Sequence, residues 1–535
     1  MCTASTNKNG SILPNWIDLP SEMWQEIMKY LPYCPTWKHY LVVSKKFRDY
    51  TLQFSNISCL SEKLTKILRR NRGHCINTKD MKLLINNQFC EVDIFLLYVT
   101  QFGTQSKENE NDGYFDVLML LLNDPRVDPS ADKNCAIRMA SHNGHVDIVQ
   151  LLLQYSRVDP SADNNYAIGA ASQYGHYDIV QLLLQDQRVD PAADKNYAIG
   201  MASQYGHFDV VQLLLQDQRV DPSADYNYAI RMASEYGYFN VVQLLLQDQR
   251  VDPSENCNYA VIKACEKGHF EVVKLLLLDK RVDPSDNDNI AIKNVCENGY
   301  FKIAQLLLQD PRVIPSVRTN YAITAASYNG HFDVVQLLLQ HQKVDPSDDN
   351  NYAIKSASGN GHFEIVKLLL QDKRANPSDG QLSAIEMASI KGHYKIVQLL
   401  LQDTRVDPSS NNNFAIIKAC QYGHYKVVQL LLQDSRINPS DDNNYAIKSE
   451  CKSKHFDVVQ LLLQDKRVDP SVNNNFIIGE ASKYGHYEVV KLLLKDPRVD
   501  PSDNGNYAIG KAIKNKHSDV VQLLLQDPRV VSTFK

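Results

Sequence analysis

The sequence predicts an all-α protein, a solenoid of about 13–14 repeats of 31 residues preceded by a small helical domain. The repeat period is unbroken, because an Ala-Ile dipeptide recurs from Ala136-Ile137 to Ala508-Ile509 with small drifts. A proline closes each unit, from Pro129 to Pro501, whereas all three tryptophans precede residue 40. A stack of near-identical units has no single cleft, so the pattern indicates binding over an extended face.

A single repeat, residues 320–347, predicts a helix, a turn, a second helix and an extended loop. The small residues from Ala322 to Ser327 favour a short, slim helix, and Gly330 suits the positive φ of its end. Residues 332–340 carry a wide apolar stripe that suits a helix packed on both sides: Val334, Val335, Leu337, Leu338 and Leu339. Pro346 cannot continue that helix, and the Asp/Asn-rich stretch after it predicts a turn.

The recurring string Tyr-Ala-Ile-x-x-Ala-Ser-x-x-Gly-His resembles the ankyrin repeat signature Thr-Pro-Leu-His-x-Ala-Ala-x-x-Gly-His. The resemblance covers roughly residues 113–530 and implies an ankyrin repeat array over residues 113–535. Ankyrin arrays stack helix pairs and bind proteins through the first helices and projecting hairpins. The unit here is shorter than the usual 33 residues, and the shortening falls in the loop that carries those hairpins.

Residues 15–55 follow a predicted flexible N-terminus, residues 1–14, and lack the repeat period. They contain Leu19-Pro20-Ser21-Glu22, a Leu-Pro turn at Leu31-Pro32, and a second apolar-faced segment from Tyr40 to Arg48. These motifs resemble an F-box, which binds a Skp-type adaptor and through it a cullin–RING ubiquitin ligase. The resemblance assigns adaptor-facing or core-forming roles to Leu19, Pro20, Ile27, Leu31, Leu41, Val43 and Phe47.

Residues 56–112 predict a helical linker and a divergent cap for the array. Helical periodicity is present at 64–70 and 93–101. Residues 104–112 are polar and low in apolar content, which predicts a disordered insertion.

Charge and composition argue against nucleic acid and membrane partners. The net charge is −5, divided between +6 in residues 1–75 and −11 in the remainder, and nucleic-acid binding needs Lys and Arg concentrated on one face. No apolar run reaches the roughly 18–20 residues of a membrane helix. Cys265, Cys296, Cys420 and Cys451 occupy a position that elsewhere is Ser, which indicates small packing residues, and we expect a cytoplasmic protein.

The repeated polar residues predict structure and not catalysis. Eleven of fifteen histidines sit at the Gly-His position of the repeat, and equivalent residues in stacked helices lie near 10 Å apart, too far to share one zinc ion. Asp348-Asp349-Asn350-Asn351 lacks the Gly and the bidentate Glu of a calcium loop. We therefore expect no metal, no cofactor and no enzymatic activity.

The informative variation lies just before Gly-His, where the repeat does not dictate the residue. Tyrosine is favoured at binding interfaces, and the ankyrin resemblance places this edge on the binding face. The candidate target-binding residues are Tyr174, Tyr205, Tyr236, Tyr422 and Tyr484. The alternative is that they are solvated spacers in duplicated repeats.

Together the two resemblances imply a substrate receptor of an SCF-type (Skp–cullin–F-box) ubiquitin ligase, with the array binding an unknown target protein. The alternative is an ankyrin scaffold or host-interaction protein with no ligase link. Tandem repeats of this 31-residue form resemble those of amoebae and of giant viruses, so the cytoplasm would be that of the host if the protein is viral.

Overall fold

The computed structural model describes residues 118–532, apart from residues 120, 126, 381 and 451–454. The predicted N-terminus (1–14), F-box-like domain (15–55) and linker (56–112) lie outside the described residues. The described residues belong to two compact units, one of residues 118–171 and 178–190 and the other of 172–177 and 191–532. Each unit is built from the predicted helix pairs, and no β-strand occurs in the described chain.

Each repeat contributes a first helix that begins after the loop and a second helix that begins after Gly-His. The first helices are α1 (Ala131–Asn143), α3 (Ala162–Gln173), α5 (Ala193–Tyr205), α7 (Ala224–Tyr236), α9 (Glu255–Lys267), α11 (Asp286–Asn298), α13 (Val317–Asn329), α15 (Asp348–Asn360), α17 (Ala384–Lys391), α19 (Ser410–Gln421), α21 (Asp441–Glu450), α23 (Val472–Lys483) and α25 (Asp503–Lys514). The second helices are α2 (Val146–Leu152), α4 (Tyr177–Leu184), α6 (Phe208–Leu214), α8 (Phe239–Leu245), α10 (Phe270–Leu276), α12 (Phe301–Leu307), α14 (Phe332–Leu339), α16 (Phe363–Gln371), α18 (Tyr394–Leu401), α20 (Tyr425–Gln433), α22 (Phe456–Gln464), α24 (Tyr487–Leu493) and α26 (Ser518–Leu524). A short helix, α27 (Pro528–Ser532), follows the last pair.

The core is a thin apolar layer that the repeat pattern places in every unit. In the 320–347 repeat, the aliphatic residues that are at most 1% exposed are Ala322, Ile323, Ala326, Val334, Val335, Leu338 and Val344. Leu337 and Leu339 are half-buried, which accounts for the width of the predicted stripe. The small Ala side chains let neighbouring first helices approach closely, and these helices contact one another more extensively than the second helices do.

The Asp/Asn-rich segment before each first helix forms a left-handed turn. In one repeat Asp349, Asn350 and Asn351 have φ of 50°, 55° and 59°, and a left-handed conformation costs most L-residues about 1–2 kcal/mol each. Asn and Asp tolerate this region better than other side chains do. The turn recurs at 132–134, 163–165, 194–196, 225–227, 256–258, 287–289, 411–413, 473–475 and 504–506. It stands where the ankyrin resemblance implies a projecting hairpin.

The last residue of each turn is a buried asparagine that binds the following loop. Asn351 is 2% exposed, and its Oδ1 accepts the backbone N–H of Asn376 at 2.6 Å while its Nδ2 donates to Asp379 at 2.8 Å. The same bond to a backbone N–H 25 residues further along is made by Asn134, Asn165, Asn196, Asn227, Asn258, Asn289, Asn320, Asn413, Asn444 and Asn475. The asparagines therefore connect consecutive loops, and in the described chain they do so without any strand pairing.

An aspartate–arginine pair follows every second helix except α2 and α14, and it makes a second link between repeats. Asp403 accepts from Arg405 at 2.6 Å, and Arg405 also donates to the backbone carbonyl of Ala375 in the preceding repeat at 2.7 Å. The hydrogen bond from Arg405 holds the pKa of Asp403 below its usual value. Equivalent arginine-to-carbonyl bonds are made by Arg188, Arg250, Arg281, Arg374, Arg436, Arg467, Arg498 and Arg529.

The left-handed turn predicts opposite effects for two substitutions of Tyr226, which is 70% exposed and has a φ of 58°. We expect Tyr226→Asn to raise the free energy of unfolding by about 0.5–1 kcal/mol, and Tyr226→Val to lower it by about 1 kcal/mol, because a β-branched residue disfavours positive φ. Urea denaturation followed by circular dichroism measures both. Equal midpoints for the two variants would contradict the turn.

The Asp–Arg pairs predict a loss of stability in acid. A lowered folded pKa means that each aspartate stabilises the fold above its unfolded pKa, about 3.9, and that this contribution disappears as the pH falls through the folded pKa. We expect the Asp403→Asn, Asp465→Asn variant to be less stable at pH 7 by about 0.5–1 kcal/mol per pair. Its melting temperature should also fall less than that of the wild type between pH 5 and pH 3.

The matched control is Asp333→Asn, Asp457→Asn, which changes two exposed aspartates in the first turns of second helices. Melting temperatures measured across the pH range should leave this control close to the wild-type curve. The same flattening in both double variants would mean that overall charge, and not the Asp–Arg pairs, sets the acid sensitivity.

A candidate protein-binding surface on the first helices

The Gly-His residues fix where each first helix ends and how it meets its neighbour. Gly299 has φ of 78°, and a Cβ on it would lie only 2.4 Å from Nδ1 of His331 in the next repeat. His331 Nε2 donates to the backbone carbonyl of Glu297 at 2.9 Å, and since a carbonyl only accepts, Nε2 carries the proton. The same bond is made by His207, His269, His362, His393, His424 and His517. The histidines therefore tie each inter-helix turn to the preceding repeat.

Within the described residues, no group of three or more His, Cys, Asp and Glu side chains is arranged to hold a metal ion. The part of the chain that the structure describes also contains no helix long and apolar enough to cross a membrane. Cys265, Cys296 and Cys420 are fully buried free thiols, and burial raises the pKa of each. Their predicted role as small packing residues is confirmed, whereas Cys451 lies outside the described residues.

Three of the predicted target-binding tyrosines form a row in consecutive repeats, which we call the tyrosine row: Tyr174, Tyr205 and Tyr236. Their exposed fractions are 46%, 46% and 50%. Each ring stacks on the aromatic ring two residues later, with centroids 6.2, 6.5 and 6.4 Å apart. Gln173, which directly precedes Tyr174, donates to the hydroxyl of Tyr205 at 3.5 Å. The row thus presents three supported aromatic rings to solvent.

Tyr422 and Tyr484 have the same local geometry but lie apart from the tyrosine row. They are 50% and 41% exposed, and their rings lie 6.2 and 6.1 Å from His424 and His486. Tyr422 comes six repeats after Tyr236, and the equivalent residues between them are Lys267, Asn298, Asn329, Asn360 and Lys391. The five predicted tyrosines therefore make one continuous row of three and two separate positions.

A second set of tyrosines, which sequence reasoning missed, lies at the start of the first helices. Tyr228 donates to Gln204 at 2.7 Å, Tyr259 to Glu235 at 2.8 Å, and Tyr321 to Glu297 at 3.1 Å. Each of these bonds joins consecutive repeats. Burial and the hydrogen bond to Glu235 raise the pKa of Tyr259 to about 12. These tyrosines belong to the recurring string Asn-Tyr-Ala-Ile. Because they recur so regularly, the sequence alone does not distinguish them from the other residues that the repeat dictates.

Three polar residues accept from the second set of tyrosines, and two of them, Gln204 and Glu235, directly precede tyrosines of the row; the third is Glu297. Each directly precedes the last residue of its first helix, and its side chain accepts from a tyrosine at the start of the next first helix. The surface of these helices is consequently a network of aromatic rings and polar groups that is held in place across repeats. Exposed tyrosines are enriched in protein interfaces, so this surface is a candidate for binding a protein.

The predicted adaptor-binding residues are outside the described part of the chain: Leu19, Pro20, Ile27, Leu31, Leu41, Val43 and Phe47. Their assignment stays a prediction.

Comparison with known families gives one match. The family model described as ankyrin repeats (3 copies) matches overlapping segments at residues 108–197, 171–257, 199–288, 230–319, 292–381, 357–443, 384–475 and 444–533. None of the curated proteins compared with the chain is similar enough to count as a match. The family match extends over most of the chain and includes both sets of tyrosines.

Proposed function

This chain belongs to the ankyrin repeat family, whose arrays are protein–protein interaction modules, and on that premise we propose that it is the substrate receptor of an SCF-type ubiquitin ligase. The array binds a target protein, and the F-box-like segment at residues 15–55 binds a Skp-type adaptor and, through it, a cullin. The RING subunit of the ligase supplies the catalysis. The assembly acts in the cytoplasm, that of the host if the protein is viral.

The observation that supports target binding is the tyrosine row. Tyr174, Tyr205 and Tyr236 each expose nearly half of their surface although each ring is supported by a stacked neighbour. A ring held in this way loses little conformational freedom on binding, and tyrosine is enriched among residues that dominate interface energies. Tyr422 and Tyr484 would then contact separate parts of a long target.

The observation that supports adaptor binding is the spacing of apolar residues and Leu-Pro turns in residues 15–55. Leu31 and Val43 stand at positions where the F-box resemblance places contacts with the adaptor or the domain core. An aspartate at either position would place a charge in an apolar contact, which is strongly unfavourable.

We predict that Tyr174→Ala, Tyr205→Ala, Tyr236→Ala weakens target binding at least tenfold while the melting temperature stays within about 2 °C, since the rings are half exposed. Cross-linking mass spectrometry with the wild-type protein identifies the target, and titration of that target measures the affinity. The matched control replaces the same residues with Phe, which keeps the rings. Unchanged affinity in the alanine variant would overturn the role of the tyrosine row.

We predict that wild-type protein recovers Skp adaptor and cullin from a eukaryotic lysate, whereas the Leu31→Asp, Val43→Asp variant recovers neither. The control is a variant with Asp at two polar positions of the same segment, Ser21→Asp, Lys46→Asp, which should keep the adaptor. If the folded wild-type protein recovers no adaptor, the ligase assignment fails and the chain is an ankyrin scaffold.

A further inference from the structure

The residue that follows Ala-Ile, or its variants, differs between repeats, and its side chain decides what occupies the space beside the left-handed turn. Arginine stands there at Arg138 and Arg231, lysine at Lys293, Lys355 and Lys448, and glycine at Gly169, Gly200, Gly479 and Gly510. These are equivalent positions, because 200 is two periods after 138 and 231 is one period after 200.

Arg138 shows what this position does with a guanidinium group. Its Nε donates to the backbone carbonyl of Lys133 at 3.0 Å, and its Nη2 donates to that of Asp132 at 3.0 Å. Its Nη1 donates to Oδ2 of Asp163 at 2.9 Å, and its guanidinium carbon lies 5.4 Å from the centre of the Tyr166 ring. The side chain is only 13% exposed. The guanidinium of Arg138 is thus surrounded by two carbonyls of the left-handed turn, one carboxylate and one aromatic ring.

Arg231 keeps one turn carbonyl and the tyrosine ring of this arrangement, without the carboxylate and without the bond from Nε to the second carbonyl. Its Nη2 donates to the backbone carbonyl of Asp225 at 3.3 Å, and its guanidinium carbon lies 5.2 Å from the centre of the Tyr259 ring. The residue equivalent to Asp163 is here Asn256. The turn carbonyl and the next tyrosine therefore bind a guanidinium even where the carboxylate is missing.

Around Gly200 the same groups are present, and we call them the frame: the left-handed turn, the carboxylate and the tyrosine of the next repeat. Glycine has no side chain to fill the space between them. The equivalents of the residues around Arg138 are Asp194, Lys195, Asp225 and Tyr228, and all four line a notch of about 300 Å³. That volume is at the small end of the range for ligand pockets. Lys195 donates to Oδ1 of Asp225 at 3.1 Å, just as Lys133 donates to Oδ1 of Asp163. Oδ2 of Asp225 is the oxygen equivalent to the one that accepts from Arg138.

The charge around the notch also favours a cation. The four segments 191–196, 220–227, 251–258 and 282–289, which include the left-handed turns, contain one basic residue, Lys195. The arginines that precede the last three segments each pair with an aspartate two residues earlier: Arg219, Arg250 and Arg281. Eight acidic residues lie in the same four segments: Asp194, Asp221, Asp225, Asp252, Glu255, Asp283, Asp286 and Asp288. This edge therefore attracts a basic segment, and the notch offers one of its side chains an enclosed position.

We propose that the notch at Gly200 binds an arginine side chain of the target protein, in the place that Arg138 occupies within its own repeat. The proposal rests on the target-binding function above and specifies one chemical feature of the target. Arginine fits better than lysine, because the two turn carbonyls and the carboxylate accept from three directions in the plane of a guanidinium, which also stacks on a tyrosine ring.

The test fills the notch from within. Gly200→Arg places in the notch the side chain that the equivalent position carries in two other repeats, so the variant should fold. A Cβ at Gly200 lies 3.0 Å from the Tyr228 ring, and the pairs Arg138–Tyr166 and Arg231–Tyr259 show that a tyrosine accommodates an arginine there. The matched control is Gly510→Arg, which adds the same charge at the same repeat position, where a Cβ meets nothing within 4 Å.

The probe is a fluorescein-labelled Gly/Ser peptide with two arginines, and fluorescence anisotropy at low and physiological salt measures its affinity. We expect wild type and Gly510→Arg to bind equally, and Gly200→Arg to bind at least fivefold more weakly. A peptide with citrulline in place of arginine should not bind, and a lysine peptide should bind more weakly than the arginine peptide. Equal affinities of the two arginine variants, or equal binding of the citrulline peptide, would overturn the proposal.

The peptide experiment is independent of the tyrosine row. If the target identified by cross-linking loses affinity on alanine substitution of the row but Gly200→Arg binds target and peptide as the wild type does, the notch proposal fails and target binding stands. If Gly200→Arg blocks the peptide while the tyrosine substitutions leave target affinity unchanged, the notch is a cation site and the proposed role of the row fails.

Discussion

The buried asparagine at the end of each left-handed turn is the contact on which the rest of the array depends. Its side chain accepts a backbone N–H 25 residues further along, as between Asn351 and Asn376, so it determines the position of the next loop. Asn351 is 2% exposed, and a buried side-chain amide left without a partner would cost about 1–3 kcal/mol. The bond also explains why the turn stays left-handed when its middle residue is Tyr226 or Cys257, since the asparagine and not that residue makes the connection.

The repeat at Ser383 shows how the array responds when this contact is lost. Here the turn is replaced by a capping box, in which Glu386 accepts the backbone N–H of Ser383 at 2.6 Å. Glu386 is 1% exposed, and its other carboxylate oxygen accepts from Asn411 in the next repeat at 2.8 Å. A buried carboxylate thus takes over both the helix start and the link to the next loop. Consecutive loops are therefore connected through a buried side chain that accepts a hydrogen bond, and in most repeats this side chain is an asparagine.

The sequence predicted the helix pairs and their ends because those follow from local patterns. The small residues around Ala322, the stripe that ends at Leu339, and Gly330 and Pro346 each determine structure within a few residues of themselves. Local patterns could not predict three other features: the sign of φ in the turn, the carbonyl that accepts from His331, and the side chain that accepts from the Tyr259 hydroxyl. Each depends on atoms from 24 to 34 residues away, which come together only when the repeats stack. Within residues 118–532 as described, the left-handed turn takes the place of a hairpin, and its asparagine bonds the next loop.

The candidate binding features follow the same division between what the repeat dictates and what it leaves open. The tyrosine row could be located from sequence because it lies at a variable position on an exposed helix end. The notch could not be located, because it consists of a missing side chain at Gly200 and of walls supplied by Asp225 and Tyr228 in the next repeat. Near-identical repeats make it possible to compare the same position with and without a side chain. The contacts of Arg138 show which groups of its surroundings accept from a guanidinium, and the proposal for Gly200 extends that observation to a repeat that keeps these groups and lacks the arginine.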